Sequence, residues 1–573
     1  MYPIWFVILA IVAYLLAYYV YAKWYDRKVW EPDPKRATPA HMYMDGITFF
    51  PVSKYVLYGF QFKGIAGLGP ILGPFVALYY GWIPALIWII LGNFFIGWIH
   101  DYTSLFLSVR NDGKSMGPLS YELISPRART SLLGFLFFYL ILIVAVFAVL
   151  CSTFFLRFPE TVLATIFLYI GGIVSGLLLY KAKTGVVTST LVGIIITAIG
   201  VVVGMYFPLP YPKLELWIFF TSVLLFIGAT ISLMYVTQPI TYVASYPCLF
   251  GIILLILGAL ASPITNVPIQ QTAWGGFLGT TNDFWSPGPL WPILTVSVAC
   301  GAISGWHSLI STSGSAPQLD VETDALPVAA GSMLTEGLLA LASVAAYMVL
   351  TPADLKTAGG VNWAALVSGA VKLISPYTGG AAAAPWIRAF FGMWLETYAI
   401  TIGFLAVRFF WLVWADAVGG KSPVLGNKYV GAIVGLVIAD IFAYTGAWQN
   451  IWLLFGGSNQ LLAGLALTLV TVYLAKLKKP TAYTFWPAIF MILTCEAALL
   501  FESAVFFRAV AIGKPLGAKP MIDYPSVALT LNAIFGVVGL VLFVLGLVVA
   551  YDGLKRYFEY KKAVSAPAAS KTS

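Results

Sequence analysis

Gly64-Ile65-Ala66-Gly67-Leu68-Gly69-Pro70 interrupts an apolar run over 53–80. A second stretch, Gly301-Ala302-Ile303-Ser304-Gly305-Trp306-His307-Ser308, interrupts the run over 289–313. In hydrocarbon an unpaired backbone group is costly, so a chain unwinds there only where protein buries the opening or water fills it. Paired interruptions in membrane helices point to the substrate site of a transporter.

The rest of the chain fits that reading. It has 573 residues, 60% hydrophobic and 10% charged, with mean hydropathy +0.90; a soluble domain carries about 25% charge. Apolar stretches long enough to cross a bilayer recur from end to end, without the short alternating segments of a barrel. The pattern predicts an all-α polytopic membrane protein of about 15 transmembrane helices, two of them discontinuous. They fall at 4–22, 53–80, 82–109, 132–156, 160–180, 186–206, 215–237, 240–262, 289–313, 327–350, 386–414, 428–447, 451–475, 483–507 and 526–551. The first run lacks a cleavage signal and reads as a helix, not a leader. Breaks in spans 2 and 9, which begin in opposite orientations, are what an inverted repeat requires. Residues 1–562 read as one integral membrane domain and 563–573 as a disordered cytoplasmic tail.

The net charge of +9 does not indicate nucleic acid. With the N-terminus outside, inside segments hold about 21 of the 32 Lys and Arg and outside segments about 7, an ordinary positive-inside bias that leaves the C-terminus inside the cytoplasmic membrane. Cys151, Cys248, Cys300 and Cys495 each fall in an apolar span with no C-x-x-C spacing, so they read as small core residues, with neither a disulfide framework nor a metal site. The loop 263–288 reads as a cap over an outer vestibule or a plain connector, and 361–375 as a re-entrant or interfacial helix.

Chemistry is expected at the breaks. Gly64, Ala66, Gly67 and Gly69 leave the backbone open to a ligand, and the half-helix restarting at Pro70 presents free N–H groups and partial positive charge. Lys63, an ionisable group at membrane depth, adds to this, with Gln61 two residues before it. Together they suit a carboxylate; the alternative is close helix packing with Lys63 snorkelling to the inner face. At the second break Ser304, Gly305, His307, Ser308 and Ser311 offer hydroxyls, carbonyls and an imidazole. If a helix restarts there, Ser304/Ser308 and His307/Ser311 are i,i+4 pairs.

Candidate proton or cation sites are His100, Asp101, Ser311, Glu336, Glu396 and Thr401, with Glu496 and Glu502 as further intramembrane acids. His100 and Asp101 are adjacent and expected on different sides of a helix; Asp101 also reads as a gate that pairs with Lys or Arg. Asn459 and Gln460 follow Gly456-Gly457, which are expected to loosen span 13. There is no H-E-x-x-H, Walker A loop or G-x-S-x-G, so no enzyme constellation, cofactor or metal is expected.

Several strings in order resemble the carbon starvation protein family of membrane transporters. They are Thr38-Pro39-Ala40 with Asp45-Gly46, Ile65 to Pro74, His100-Asp101-Tyr102, Gly301 to Ser311, Glu322-Thr323-Asp324, Gly331 to Glu336, and Phe455-Gly456-Gly457-Ser458-Asn459-Gln460-Leu461-Leu462-Ala463. The resemblance implies uptake of peptides or pyruvate, and an inverted-repeat (LeuT-like) core with extra helices, near the amino acid–polyamine–organocation transporters. Three positions depart from the family's pattern: Gln61 stands where His is usual, Lys63 where a small residue is usual, and Phe404 at an Asp position in the stretch Thr401 to Arg408.

The expected function is secondary active import of a peptide or small carboxylate, coupled to H+ or Na+, by alternating access in a lipid membrane. The alternative is a membrane receptor or structural subunit that binds without transporting.

Overall fold

The computed structural model describes residues 1–565 except 359–362, 421, 518 and 520. Twelve helices among them are long and apolar enough to cross a membrane, from Ile4–Trp30 to Pro525–Ala563. The pair Lys54–Ile65 and Gly69–Tyr80, bent by 43°, makes a thirteenth if counted as one span. Of the fifteen expected spans, two stand outside that count. One is the 17-residue helix Leu214–Thr230. The other is the run from Leu290 to Ser315, divided into four short pieces. The last helix runs to Ser565, and the tail expected from 563 otherwise lies outside the described residues.

Burial is inverted relative to a soluble protein. Trp5, Leu9, Ile195 and Val202 lie exposed on helices at the periphery, whereas Lys63, Asp101, His307, Glu336 and Glu396 are completely buried. Apolar side chains facing out and ionisable ones facing in is the arrangement lipid demands. Pro126–Arg157 runs through the middle of the bundle, buried without interruption from Tyr139 to Ser152. Its start is set by Pro126 at the first helical position and by the Ser125 hydroxyl, which accepts from the Ala128 N–H.

The basic loops gather on one face. Arg110 and Arg36 pair with Glu322, Lys479 with Glu31, and Arg127 with Asp552. The hydrogen bond and charge of Lys479 hold the Glu31 carboxyl below its ordinary value. At the opposite face 263–288 is hydrogen-bonded across helix ends: Gln271 to Leu350, Gly275 to Tyr80, Thr280 to Tyr79, and Trp82 to Thr272. Within 361–375, residues 361 and 362 lie outside the described residues; the helix Trp363–Thr378 packs inward through Leu366, Ala370 and Leu373. Just before it, Pro352–Thr357 carries a capping box from Thr351 and Asp354. Burial raises the Asp354 carboxyl, but the Lys372 ammonium and the Thr351 hydroxyl and N–H outweigh that and hold it at about 2.

The two interrupted segments lie against each other and run antiparallel. A Cβ on Gly69 would meet the Cys300 Sγ at 2.4 Å, and one on Gly73 the Ser297 carbonyl at 2.4 Å. Nearer the other end, the Trp306 Nε1–H donates to the Gly64 carbonyl at 2.7 Å. The glycines therefore serve close backbone approach as well as unwinding.

Candidate functional site

At the first break the helix ends at Ile65. Ala66 is extended (φ −71°, ψ 101°), and a helix restarts at Gly69. The Ile71 and Leu72 N–H groups close back on the Leu68 carbonyl. The N–H groups of Gly67 and Leu68 take no hydrogen-bond partner among the described residues. Lys63 turns back into this opening: its Nζ donates to the Ala66 carbonyl at 3.1 Å and to the Thr401 hydroxyl at 2.7 Å, and lies 4.3 Å from the centre of the Tyr398 ring. No carboxylate pairs with this buried ammonium among the described residues. It does not snorkel, because its stem points to the core and its neighbours supply a carbonyl, a hydroxyl and an aromatic face. Two residues earlier Gln61 donates to Ser311 at 3.0 Å and accepts from Ser315 at 2.5 Å, tying the first break to the second.

The second break unwinds at Ile303–Gly305 and restarts over Trp306–Leu309, continuing as a wide turn over Ile310–Ser315. Ser304 stays outside the restarted helix, so the expected Ser304/Ser308 pair does not form; the Ser308 hydroxyl donates to the Gly305 carbonyl at 2.7 Å instead. Asn459 holds the opening. Its Oδ1 accepts from Tyr139 at 2.6 Å, Trp306 N–H at 2.9 Å and Ser304 at 3.1 Å, and its backbone carbonyl accepts from Gly305 N–H at 2.9 Å. The adjacent Gln460 donates to the Thr295 and Ile303 carbonyls. Gly456 and Gly457 do not loosen this helix, which is continuous over Trp448–Lys476. They admit the Val296 carbonyl and the Glu502 carboxylate at close range.

A Cβ on Gly305 would sit 2.2 Å from the Asn459 carbonyl oxygen and 2.4 Å from the Leu462 Cβ. Backbone cannot yield there as a flexible side chain can. Gly305→Ala is expected to cost about 1–3 kcal/mol, read as a lowered thermal midpoint of the purified protein.

Between the breaks runs a buried row of ionisable groups. His100 Nδ1 lies 2.8 Å from Asp101 Oδ1; His307 Nδ1 lies 3.0 Å from Asp101 Oδ2; His307 Nε2 lies 3.1 Å from Glu336 Oε2. The last contact is close but poorly aligned, and both Glu336 oxygens lack a hydrogen bond. His100 and Asp101 thus meet, contrary to their expected divergence: successive helical positions are about 100° apart, and the imidazole Nδ1 is near enough to its backbone to bridge that. Among the described residues Asp101 pairs with two histidines and with no Lys or Arg, and its side chain is fully buried. Cys300 brings its sulfur within 4.8 Å of His307 and Glu336 donor atoms, the one such metal-type set found among the described residues. Its thiol donates to Ser304 at 3.6 Å, and both His307 nitrogens face carboxylates. All four cysteines are free and buried, as the sequence suggests.

Glu396, on the same helix as Tyr398 and Thr401, lies against the Cys151 thiol, with no well-formed hydrogen bond to either oxygen among the described residues. Phe404 does not join the polar row; it packs against Gly228 and the Tyr169 ring. Arg408 stacks 5.5 Å from the centre of Trp411. Ser315, Tyr139 and Tyr398 also touch this network, and the sequence does not single them out. Ser315 continues the four-residue spacing of Ser311, a usable signal; a tyrosine in a chain with 32 of them carries none.

The same segments carry the likeness to known proteins. The family model for carbon starvation protein CstA matches residues 2–361 and 353–498. The pyruvate/proton symporter BtsT of Escherichia coli (strain K12) is 28% identical over 591 residues, covering 87% of this chain and 81% of the relative. The peptide transporter CstA of Campylobacter jejuni is 28% identical, covering 85% of this chain and 78% of the relative. The peptide transporter CstA of Bacillus subtilis (strain 168) is 26% identical, covering 96% of each. With both breaks and the row between them inside the matched region, the chain belongs to the carbon starvation protein CstA family.

Proposed function

We propose that the protein is a secondary transporter of the plasma membrane that imports a peptide or a small carboxylate such as pyruvate together with protons, by alternating access. The observation that carries this is the Lys63 ammonium: a buried group at a helix break which, among the described residues, has unpaired N–H groups beside it and no carboxylate of its own. A buried charge without a counterion is stable only with compensation, and the carboxylate of the substrate supplies it. Gln61, Lys63, Gly64, Ala66, Gly67 and Gly69 form the anion side of the site. Ser304, Gly305, Ser308, Asn459 and Gln460 form the other side. The coupling proton passes along His100, Asp101, His307 and Glu336; Thr401 on Lys63 and Ser311 on Gln61 flank that row, and Glu396, on the helix of Thr401, is a further proton-holding group. The names of the relatives, peptide transporter and pyruvate/proton symporter, favour this coupling and cargo.

In this reading Leu214–Thr230 and the divided segment from Leu290 to Ser315 also cross the bilayer, which gives fifteen spans. The antiparallel contact of the two breaks supports an inverted-repeat core. The face bearing Arg110, Lys479 and Arg127 is cytoplasmic, which puts the N-terminus outside and the C-terminus inside. Uptake of labelled pyruvate and tripeptide into proteoliposomes under an imposed pH gradient tests the reading. Accumulation of either supports it; binding without accumulation would instead identify a receptor.

A further inference from the structure

On the face opposite the basic loops, a cavity of about 240 Å³ reaches down to Gly69 of the first break. At roughly 30 Å³ per water it has room for the head of a small organic molecule. Trp285 closes it from the 263–288 loop, Trp452, Phe455 and Phe501 wall it, and Glu502 lies in the wall. Glu502 is 6% exposed, its Oε2 has no hydrogen bond, and no Lys, Arg or His pairs with it among the described residues. The nearest basic neighbour on its helix, Arg508, is taken up by the face of Trp285 at 5.0 Å. Among the described residues the first break thus holds a buried amine with no carboxylate beside it, and the cavity above it holds a buried carboxyl group with no basic partner.

We infer that this cavity receives the primary ammonium group of a substrate whose carboxylate occupies the first break. The inference rests on the proposed function and narrows its cargo to molecules carrying both charges, as a short peptide does and a keto acid does not. The carboxylate of Glu502 provides the charge-assisted hydrogen bond, and the aromatic walls favour an organic cation over a hydrated metal ion. Glu502 is therefore a specificity residue at the substrate end away from Lys63.

The test compares trialanine, N-acetyl-trialanine and pyruvate as labelled substrates in proteoliposomes. The wild-type protein is expected to show a KM for trialanine at least about tenfold below that for the N-acetyl form. In Glu502→Gln that ratio is expected to collapse to within about twofold. The wild-type comparison decides the matter even if the variant does not fold. Equal handling of the two peptides by the wild type overturns the inference. So does an unaltered ratio in Glu502→Gln, or an equal loss of both peptides, which would make Glu502 part of the coupling machinery. Accumulation of pyruvate with neither peptide overturns this inference and leaves the proposed function standing; accumulation of none of the three removes the proposed function itself.

Discussion

Replacing His307 with alanine is expected to abolish substrate accumulation and to lower the stability of the protein by about 3–5 kcal/mol. The ring stands between two carboxylates, with Asp101 at 3.0 Å and Glu336 at 3.1 Å. Its loss leaves Glu336 with no basic partner and Asp101 with His100 alone. Breaking a buried pair by removing one partner costs far more than replacing the whole pair. Thermal unfolding in detergent reads the stability, and accumulation ratio under a pH gradient reads the transport. The second substitution separates the two effects. In His307→Ala with Glu336→Gln the acid left without a partner is gone, so the unfolding midpoint is expected to rise above that of the single variant while accumulation stays absent. Recovery of accumulation in the double variant would show that His307 serves packing alone.

Lys63→Met has the opposite signature. It is expected to raise KM for carboxylate substrates by about two orders of magnitude, near ~3 kcal/mol, without lowering the thermal midpoint. The methionine stem fills most of the lysine's volume, and the variant gives up the hydrogen bonds to Ala66 and Thr401. Against that, it removes a fully buried charge with no carboxylate partner, and apolar replacement of buried charge is often neutral or stabilising. A structural Lys63 would give the reverse: a lower midpoint with KM unmoved.

The sequence made the class of the molecule and the position of both breaks legible because lipid imposes a one-dimensional rule on length and polarity. It also singled out Lys63, His307, Asp101 and Glu336 through the rarity of charge at membrane depth. What it did not carry was the pairing. Lys63 meets Thr401 across 338 positions of chain and Asn459 meets Ser304 across 155, and no local periodicity encodes such partners. His100 and Asp101 were expected to diverge because helical spacing describes Cβ directions, not the reach of an imidazole. Gly456 and Gly457 are ambiguous in sequence for a related reason: a glycine pair in a membrane helix signals either unwinding or close approach, and only the Val296 carbonyl and Glu502 carboxylate packed over it decide which. The second break is displaced from its expected helical restart because Asn459, from a distant helix, captures the Trp306 N–H and the Ser304 hydroxyl.

The most direct test of a carboxylate transporter coupled through the buried row is proton entry driven by substrate. Proteoliposomes are loaded with a pH-reporting dye and held at equal pH on both sides, and whichever of trialanine and pyruvate the protein accumulates is then added outside. The expected result is lumenal acidification with the wild-type protein that exceeds protein-free liposomes and is absent in His307→Ala. Substrate uptake by the wild type without any acidification beyond the protein-free control would contradict the account.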